Sequence, residues 1–313
     1  MTPYRAMLLF AAVTTYGLIL LGGWVRAENA GLSCPDWPTC YGRWVLTPAD
    51  FAQLGEVGYT YGQMMLEWVH RFVAGIVLGP TLMVIGYMAW RRRRPDPRGW
   101  QIAQVLLLLL VVQASLGGVT VLDRNSPWSV ALHLGTALLL FATLILLFVR
   151  EGRHPPAPVA AHVTGLAAIV WVGAILTMTT AAMTAKSGAS LACYAWPSCD
   201  GSFLPALDDP LVRIHVIHRL GAAATGIGIL LLAVAARVDG ERRLAAAGAL
   251  ALLLVALQIG LGGVLIILEM PQWTQFAHQA TGVLLYALLS FILWTAATSG
   301  RAREHGHGRL SHA

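Results

Sequence analysis

Four histidines in this chain recur in a fixed arrangement. Gln113-Ala114-Ser115-Leu116-Gly117-Gly118-Val119 is answered 145 residues later by Gln258-Ile259-Gly260-Leu261-Gly262-Gly263-Val264, and the same offset carries His133 onto His278. An offset of 148 relates His70-Arg71 to His218-Arg219. All four lie in apolar stretches, where an ionisable side chain is costly and marks a functional site by default. Two imidazoles from neighbouring helices are a familiar way to hold haem iron in a helical bundle. The plainer alternative is that each ring hydrogen-bonds a neighbouring helix, a reading that the repetition of all four weakens. Zinc fits less well, because no further Cys, Asp or Glu ligands stand nearby at helical spacing.

Glu67 lies one turn before His70 and on the same helix face. A buried carboxylate there is a candidate catalytic group, or else a structural partner for Arg71 at i+4. The matching position in the second repeat is His215, for which the sequence assigns no role. The cysteines give a second signal, Cys34-Pro35-Asp36-Trp37-Pro38-Thr39-Cys40 and Cys193-Tyr194-Ala195-Trp196-Pro197-Ser198-Cys199. If both lie on the oxidising side of a membrane, Cys34 is expected to pair with Cys40 and Cys193 with Cys199, each closing its own loop. A rigid lid and a redox-active pair both remain open. The Gly22-Gly23, Gly117-Gly118 and Gly262-Gly263 pairs, and Gly75 with Gly79, permit close helix packing and carry little functional weight alone.

The elements that must position these groups follow from composition. Of 313 residues, 57% are hydrophobic and 12% charged, which argues for lipid as the solvent. Apolar stretches near 7–26, 62–90, 101–122, 129–149, 160–184, 212–236, 243–268 and 274–298 predict eight transmembrane helices. The first exceeds a signal peptide's apolar region and its Gly22-Gly23-Trp24-Val25-Arg26 end lacks a cleavage site, so it is read as a helix. With the N-terminus inside, 14 of the 21 Lys and Arg residues fall on the inner side, among them Arg91 to Arg94, Arg150, Arg242 and Arg243. Both termini are therefore expected in the cytoplasm. This distribution also accounts for the net charge of +6, leaving no case for nucleic acid.

The expected architecture is an all-α integral membrane protein of two tandem four-helix bundles. Residues 1–150 form the first half, 151–159 a cytoplasmic linker, 160–300 the second half and 301–313 a polar cytoplasmic tail. His154 and His162 flank the linker, and His305, His307 and His312 lie in the tail; all five are read as solvated or interfacial.

Gly31-Leu32-Ser33-Cys34-Pro35-Asp36-Trp37-Pro38-Thr39-Cys40, Glu67-Trp68-Val69-His70-Arg71 and the paired histidines together resemble the heme A synthase family, from about residue 7 to 298. The resemblance implies oxidation of the C8 methyl of haem O to the formyl group of haem A, for cytochrome oxidase, in a bacterial inner membrane. By that likeness His70 and His133 bracket the substrate haem, His218 and His278 bind a haem B cofactor, and Glu67 takes part in catalysis. Haem O synthase and an electron donor are the implied partners. The rival classes are a non-catalytic dihaem cytochrome and a membrane thiol-quinone oxidoreductase working through the loop cysteines.

Overall fold

The computed structural model describes residues 1–152, 158–203 and 205–299. Residues 153–157 of the linker, including His154, and the tail with His305, His307 and His312 lie outside them. Among the described residues the regular structure is helical: α1 (Pro3–Ala27), α2 (Pro48–Ala52), α3 (Tyr61–Phe72), α4 (Gly79–Arg91), α5 (Pro97–Leu122), α6 (Pro127–Arg150), α7 (Ala161–Lys186), α8 (Pro210–Val238), α9 (Arg242–Ile267) and α10 (Gln272–Ser299), with a π-helical segment, Val73–Leu78, between α3 and α4. Eight of these helical stretches are long and apolar enough to cross a membrane, with Tyr61–Arg91 acting as one span.

Several helices begin earlier than the apolar stretches suggest, because each is started by a capping residue followed by proline. Thr2-Pro3, Asp96-Pro97, Ser126-Pro127 and Asp209-Pro210 each place a side-chain oxygen on a free backbone N–H of the first turn. Proline at the first helical position loses nothing, since its missing N–H would have had no partner in the helix. The π-helical segment has a local cause. Pro80 cannot donate to the carbonyl four residues back, and the ladder widens so that Gly79 donates to Ala74 instead. In the second repeat, α8 carries no proline after Pro210 and runs unbroken.

The turns between α5 and α6 and between α9 and α10 are built alike. Arg124 and Asn125 adopt left-handed φ of 53° and 54°, and Glu269 and Met270, 145 residues later, 56° and 66°. In each turn the second residue donates back to a helix carbonyl, Asn125 to Thr120 at 2.7 Å and Met270 to Leu265 at 2.8 Å.

At the centre, α6 and α10 pack on each other and on both α1 and α7. The larger apolar core draws on α1, α6, α7, α8, α9 and α10, and a second on α1, α4, α5 and α6. Without water as a competitor, polar bonds fasten the central helices. Gln279 of α10 donates to the Ile19 carbonyl at 2.6 Å, Tyr16 to the Ala280 carbonyl at 3.2 Å, and Trp294 to the Ala142 carbonyl at 2.9 Å. At the opposite end from the cysteine loops, Arg92 pairs with Glu151 and Arg150 with Asp96, tying α4, α5 and α6 together. His162 meets Asp239 at 3.0 Å with its side chain 66% exposed, as expected of an interfacial residue.

One close helix crossing lies between α8 and α9. A Cβ added at Gly248 would stand 3.0 Å from both the Cα and the Cβ of Ala233, and backbone cannot rotate away. Gly248→Val is therefore expected to lower stability by ~1–3 kcal/mol, the usual cost of overpacking. A lower thermal unfolding midpoint in detergent checks it, and an unchanged midpoint would contradict the close crossing.

Candidate functional site

Each of the four histidines rests against a neighbouring helix. His70 is delivered by α3, whose start is fixed by a reciprocal cap between Thr60 and Gln63; the Gln63 amide also donates to the Glu28 carbonyl at 2.8 Å. Its ring packs on α1 at Gly22, where a Cβ would stand 3.2 Å from Cε1. His133 packs on Gly117 and His278 on Gly262, where a Cβ would stand 3.4 Å and 3.3 Å from the ring. Gln113 presents its amide nitrogen to His133 Nε2 at 3.2 Å, and Gln258 does the same to His278 at 3.1 Å. His218 is held differently: its Nδ1 meets the Thr177 carbonyl of α7 at 3.2 Å. His70 and His133 lie within electrostatic range of each other, and so do His218 and His278.

The repeated Gln-x-x-x-Gly-Gly segment thus has a use for each of its marked positions. The glutamine reaches the ring of the following helix and the first glycine seats that ring. The second glycine seats a tryptophan from the cysteine loop, Trp37 on Gly118 and Trp196 on Gly263, where a Cβ would come within 3.3 Å and 2.9 Å of the indole. Gln113 and Gln258 were not singled out from the sequence. Their conservation across the 145-residue offset was the available signal.

The cysteines form two disulfides, Cys34–Cys40 and Cys193–Cys199, and no described cysteine is free. Both loops contain a cis Trp-Pro bond and close with a two-residue bridge, Cys40 to Arg43 and Cys199 to Ser202. An arginine beside each histidine gathers the loop's carbonyls. Arg71 donates to Asp36 and Thr39 at 2.6 Å each and to Cys34 at 3.1 Å; Arg219 donates to Ser198 at 2.9 Å, Ala195 at 3.0 Å, Pro197 at 3.3 Å and Cys193 at 3.4 Å.

Beneath the arginines the repeats diverge. Glu67 is 5% exposed and both its oxygens are engaged, Oε1 by Arg71 at 2.5 Å, Oε2 by the Ser33 hydroxyl at 2.9 Å and the Cys34 N–H at 3.0 Å. Glu67 thus makes the ion pair with Arg71 that the sequence allowed and also bonds to the cysteine loop, contacts compatible with either of its two readings. His215, its counterpart, is buried and directs Nδ1 at the Ala189 carbonyl, 2.8 Å away. It too secures the segment leading into its loop.

The residues fit an iron ligated by imidazole. Gln113 and Gln258 set an amide group against Nε2 of His133 and of His278, with the donor and acceptor roles depending on the ring tautomer, and a neutral imidazole is the form that binds metal. Nδ1 of His70, His133 and His278 and the amide oxygens of Gln113 and Gln258 are buried without partners. Unsatisfied polar atoms concentrated in this way point to a site whose polar requirements are met by a further group. Among the described residues no three His, Cys, Asp or Glu side chains cluster as a cage for a free ion.

Residues 5–290 match the COX15-CtaA family, described as cytochrome oxidase assembly proteins. The chain belongs to that family. Similar proteins include those named Heme A synthase from Shewanella oneidensis (28% identical, covering 94% of this chain and 97% of the other), Geobacillus thermodenitrificans (29%, 97% and 96%) and Symbiobacterium thermophilum (29%, 96% and 98%). With eight apolar spans and bacterial relatives, this cytochrome oxidase assembly family member is a multi-pass protein of the bacterial inner membrane.

Asp36 makes the two loops differ in their response to acid. Burial opposes its ionisation, but bonds from the Thr39 hydroxyl and the Gly42 and Tyr41 N–H groups outweigh that and hold its carboxyl below the ordinary 3.8. A depressed carboxyl contributes stability that is complete above its unfolded value and lost as pH falls through the folded one. The second loop has Ala195 at this position. Below about pH 4, reduction of Cys34–Cys40 by a phosphine is expected to accelerate relative to Cys193–Cys199, read by mass spectrometry of alkylated peptides. Equal acceleration of both would remove Asp36 from the account.

Proposed function

We propose that this protein is a heme A synthase, oxidising the C8 methyl group of haem O to a formyl group and so making haem A for cytochrome oxidase. The observation that carries the reading is the pair of imidazole pairs, each associated with an orphaned ring nitrogen, in a chain whose family assembles cytochrome oxidase. The relatives' shared name, Heme A synthase, supports it. Residues 1–150 form the half that takes the substrate haem between His70 and His133. Residues 160–300 form the half that keeps haem B between His218 and His278, with 151–159 as a cytoplasmic linker. Both termini lie in the cytoplasm and the disulfide loops face the opposite, oxidising side. Haem O synthase supplies the substrate; turning a methyl into a formyl group removes four electrons, so an electron donor takes part only together with an oxidant such as dioxygen, which accepts them.

A haem supplies the redox chemistry when bound; the protein's residues bind, orient and shield. His218 donates Nδ1–H to the Thr177 carbonyl, which fixes the ring's tautomer and orientation and leaves Nε2 for iron. His70 rests on Gly22 with Nδ1 unpartnered, so its ring is less constrained. A fixed ligand suits a resident cofactor, and a freer one suits a substrate that must enter and leave. Trp37 and Trp196 cover the two sites from the disulfide loops. Glu67 is the catalytic group, one turn from His70, where its carboxylate stabilises positive charge that develops on oxidation or takes up a proton. Its bonds to Arg71, Ser33 and Cys34 hold it in place for that purpose.

Extraction of pigment from purified protein tests the reading. Haem A or its hydroxylated precursor is expected; haem B alone would indicate an electron-carrying cytochrome, and absence of haem a thiol enzyme. His218→Ala and His278→Ala are expected to remove haem B, and His70→Ala and His133→Ala to impair mainly the handling of haem O. A single substitution that strips both haems from folded protein would refute the division into two sites. Glu67→Gln is expected to lower conversion of haem O at least about tenfold while haem B stays bound. Unchanged conversion would leave Glu67 as an anchor of the cysteine loop alone.

A further inference from the structure

Two cations on the disulfide side have no use in the chemistry described so far. Arg26 ends α1 and Lys186 ends α7, and both line a cavity of about 330 Å³ bounded also by Asn29, Ser190 and Gln275. No lining side chain is acidic, and among the described residues neither cation has a carboxylate within ion-pair distance. Both are half-buried. Two half-buried like charges brought together without a counter-ion from the chain would be stabilised by anionic oxygen from elsewhere.

The position of the cavity says which anion. It lies among the ends of α1, α7 and α10, helices that pack at the centre of the molecule. Gln275 precedes His278 by three residues, so the cavity opens about one helical turn, roughly 4.5 Å, beyond that ring. Arg26 reaches towards α10, donating to Gln275 Oε1 at 3.2 Å, and is close enough for its charge to be felt at both His278 and Lys186. A cavity of this volume holds roughly ten waters, too much for a single small ion and enough for two carboxylates with their hydration. A haem carries two carboxylates on one edge of its ring. Arginine offers a fork matched to one, and lysine a mobile point charge for the other.

We propose that Arg26 and Lys186 form a two-point clamp for the propionate carboxylates of the haem held by His218 and His278. The inference rests on the two-site reading above and extends it, because Arg26 comes from the first repeat while the haem belongs to the second. α1 thereby closes the cofactor site of the other half, and neither half makes a complete site alone.

The test uses full-length holoprotein in nanodiscs. Transfer of haem B to excess apomyoglobin is timed for the wild type, Arg26→Gln, Lys186→Gln and the double variant, with helix content followed by circular dichroism. Each single variant is expected to lose haem B about tenfold faster, the worth of one charge-assisted hydrogen bond, and more in the double variant. Arg26→Lys and Lys186→Arg should recover part of the loss. In a second arm, haem B and its dimethyl ester, whose carboxylates carry no charge, are bound to protein made without haem. The wild type should favour the free acid by at least about tenfold, and the double variant should bind both alike. Equal binding of acid and ester by the wild type would overturn the clamp. So would unchanged haem loss in the double variant together with lost retention of phosphatidylglycerol, which would assign the cavity to a lipid phosphate. His278→Ala separates the two levels: if it leaves haem B bound, the two-site reading has failed; if it removes haem B while the double variant does not, only the clamp has.

Discussion

An imidazole inside a bilayer has to be given neighbours, since hydrocarbon offers its ring nitrogens nothing and a bare polar group there costs several kcal/mol. The helix positions around the four histidines follow from that requirement. Gly22, Gly117 and Gly262 lie where a side chain would strike a ring, so α1 can approach α3, α5 approach α6, and α9 approach α10. Gln113 and Gln258 bring a polar group to the rings of His133 and His278. His218 alone of the four draws on a backbone carbonyl, that of Thr177, which also accepts from the Thr180 hydroxyl at 2.8 Å. What these contacts leave unsatisfied is concentrated at the same rings.

The same two repeats handle a half-buried arginine in different ways. Arg71 and Arg219 each hold together a disulfide loop by its carbonyl oxygens, and in doing so place a tryptophan over the glycine beside the histidine seat. Only Arg71 also has a carboxylate, Glu67, completing a fully bonded charge pair. A pair with several hydrogen bonds withstands burial, whereas removing one partner would strand the other. In the second repeat the charge is balanced by carbonyl dipoles, and His215 has taken a neutral structural position. The divergence leaves a carboxylate one turn from His70 and none at the matching place before His218. That is the difference expected if one haem is to be changed chemically and the other kept.

α1 has a part in both sites. Gly22 seats His70, Gly23 admits Gln279 of α10, and Arg26 turns towards Gln275. A helix of the first repeat thus meets the second along several turns, and the larger core includes residues from both. Packing of α1, α6, α7 and α10 brings groups more than 200 residues apart in the chain into one polar cluster on the disulfide side.

The eight spans were legible from composition because lipid demands about 20 apolar residues and a hydrogen-bonded backbone, leaving the chain little choice. The repeats, the histidines and the cysteine pairing were legible for a related reason: residue types that are expensive in a membrane, or that bond only at short reach, recur at a fixed offset. Helix starts were misplaced by two to four residues in several spans, since hydropathy does not register a cap and its proline. The sequence left Glu67 with two readings, and its contacts with Arg71, Ser33 and Cys34 were decided by a loop folding back from 33 residues upstream. The glutamines stood in plain view in the repeated motif, yet their partners lie 20 residues on, across a turn whose left-handed residues are not glycine. Arg26 and Lys186 read from the sequence as ordinary outer-side cations. Their meeting at one cavity depends on how two halves pack, a matter of side-chain shape across helices that no local pattern encodes.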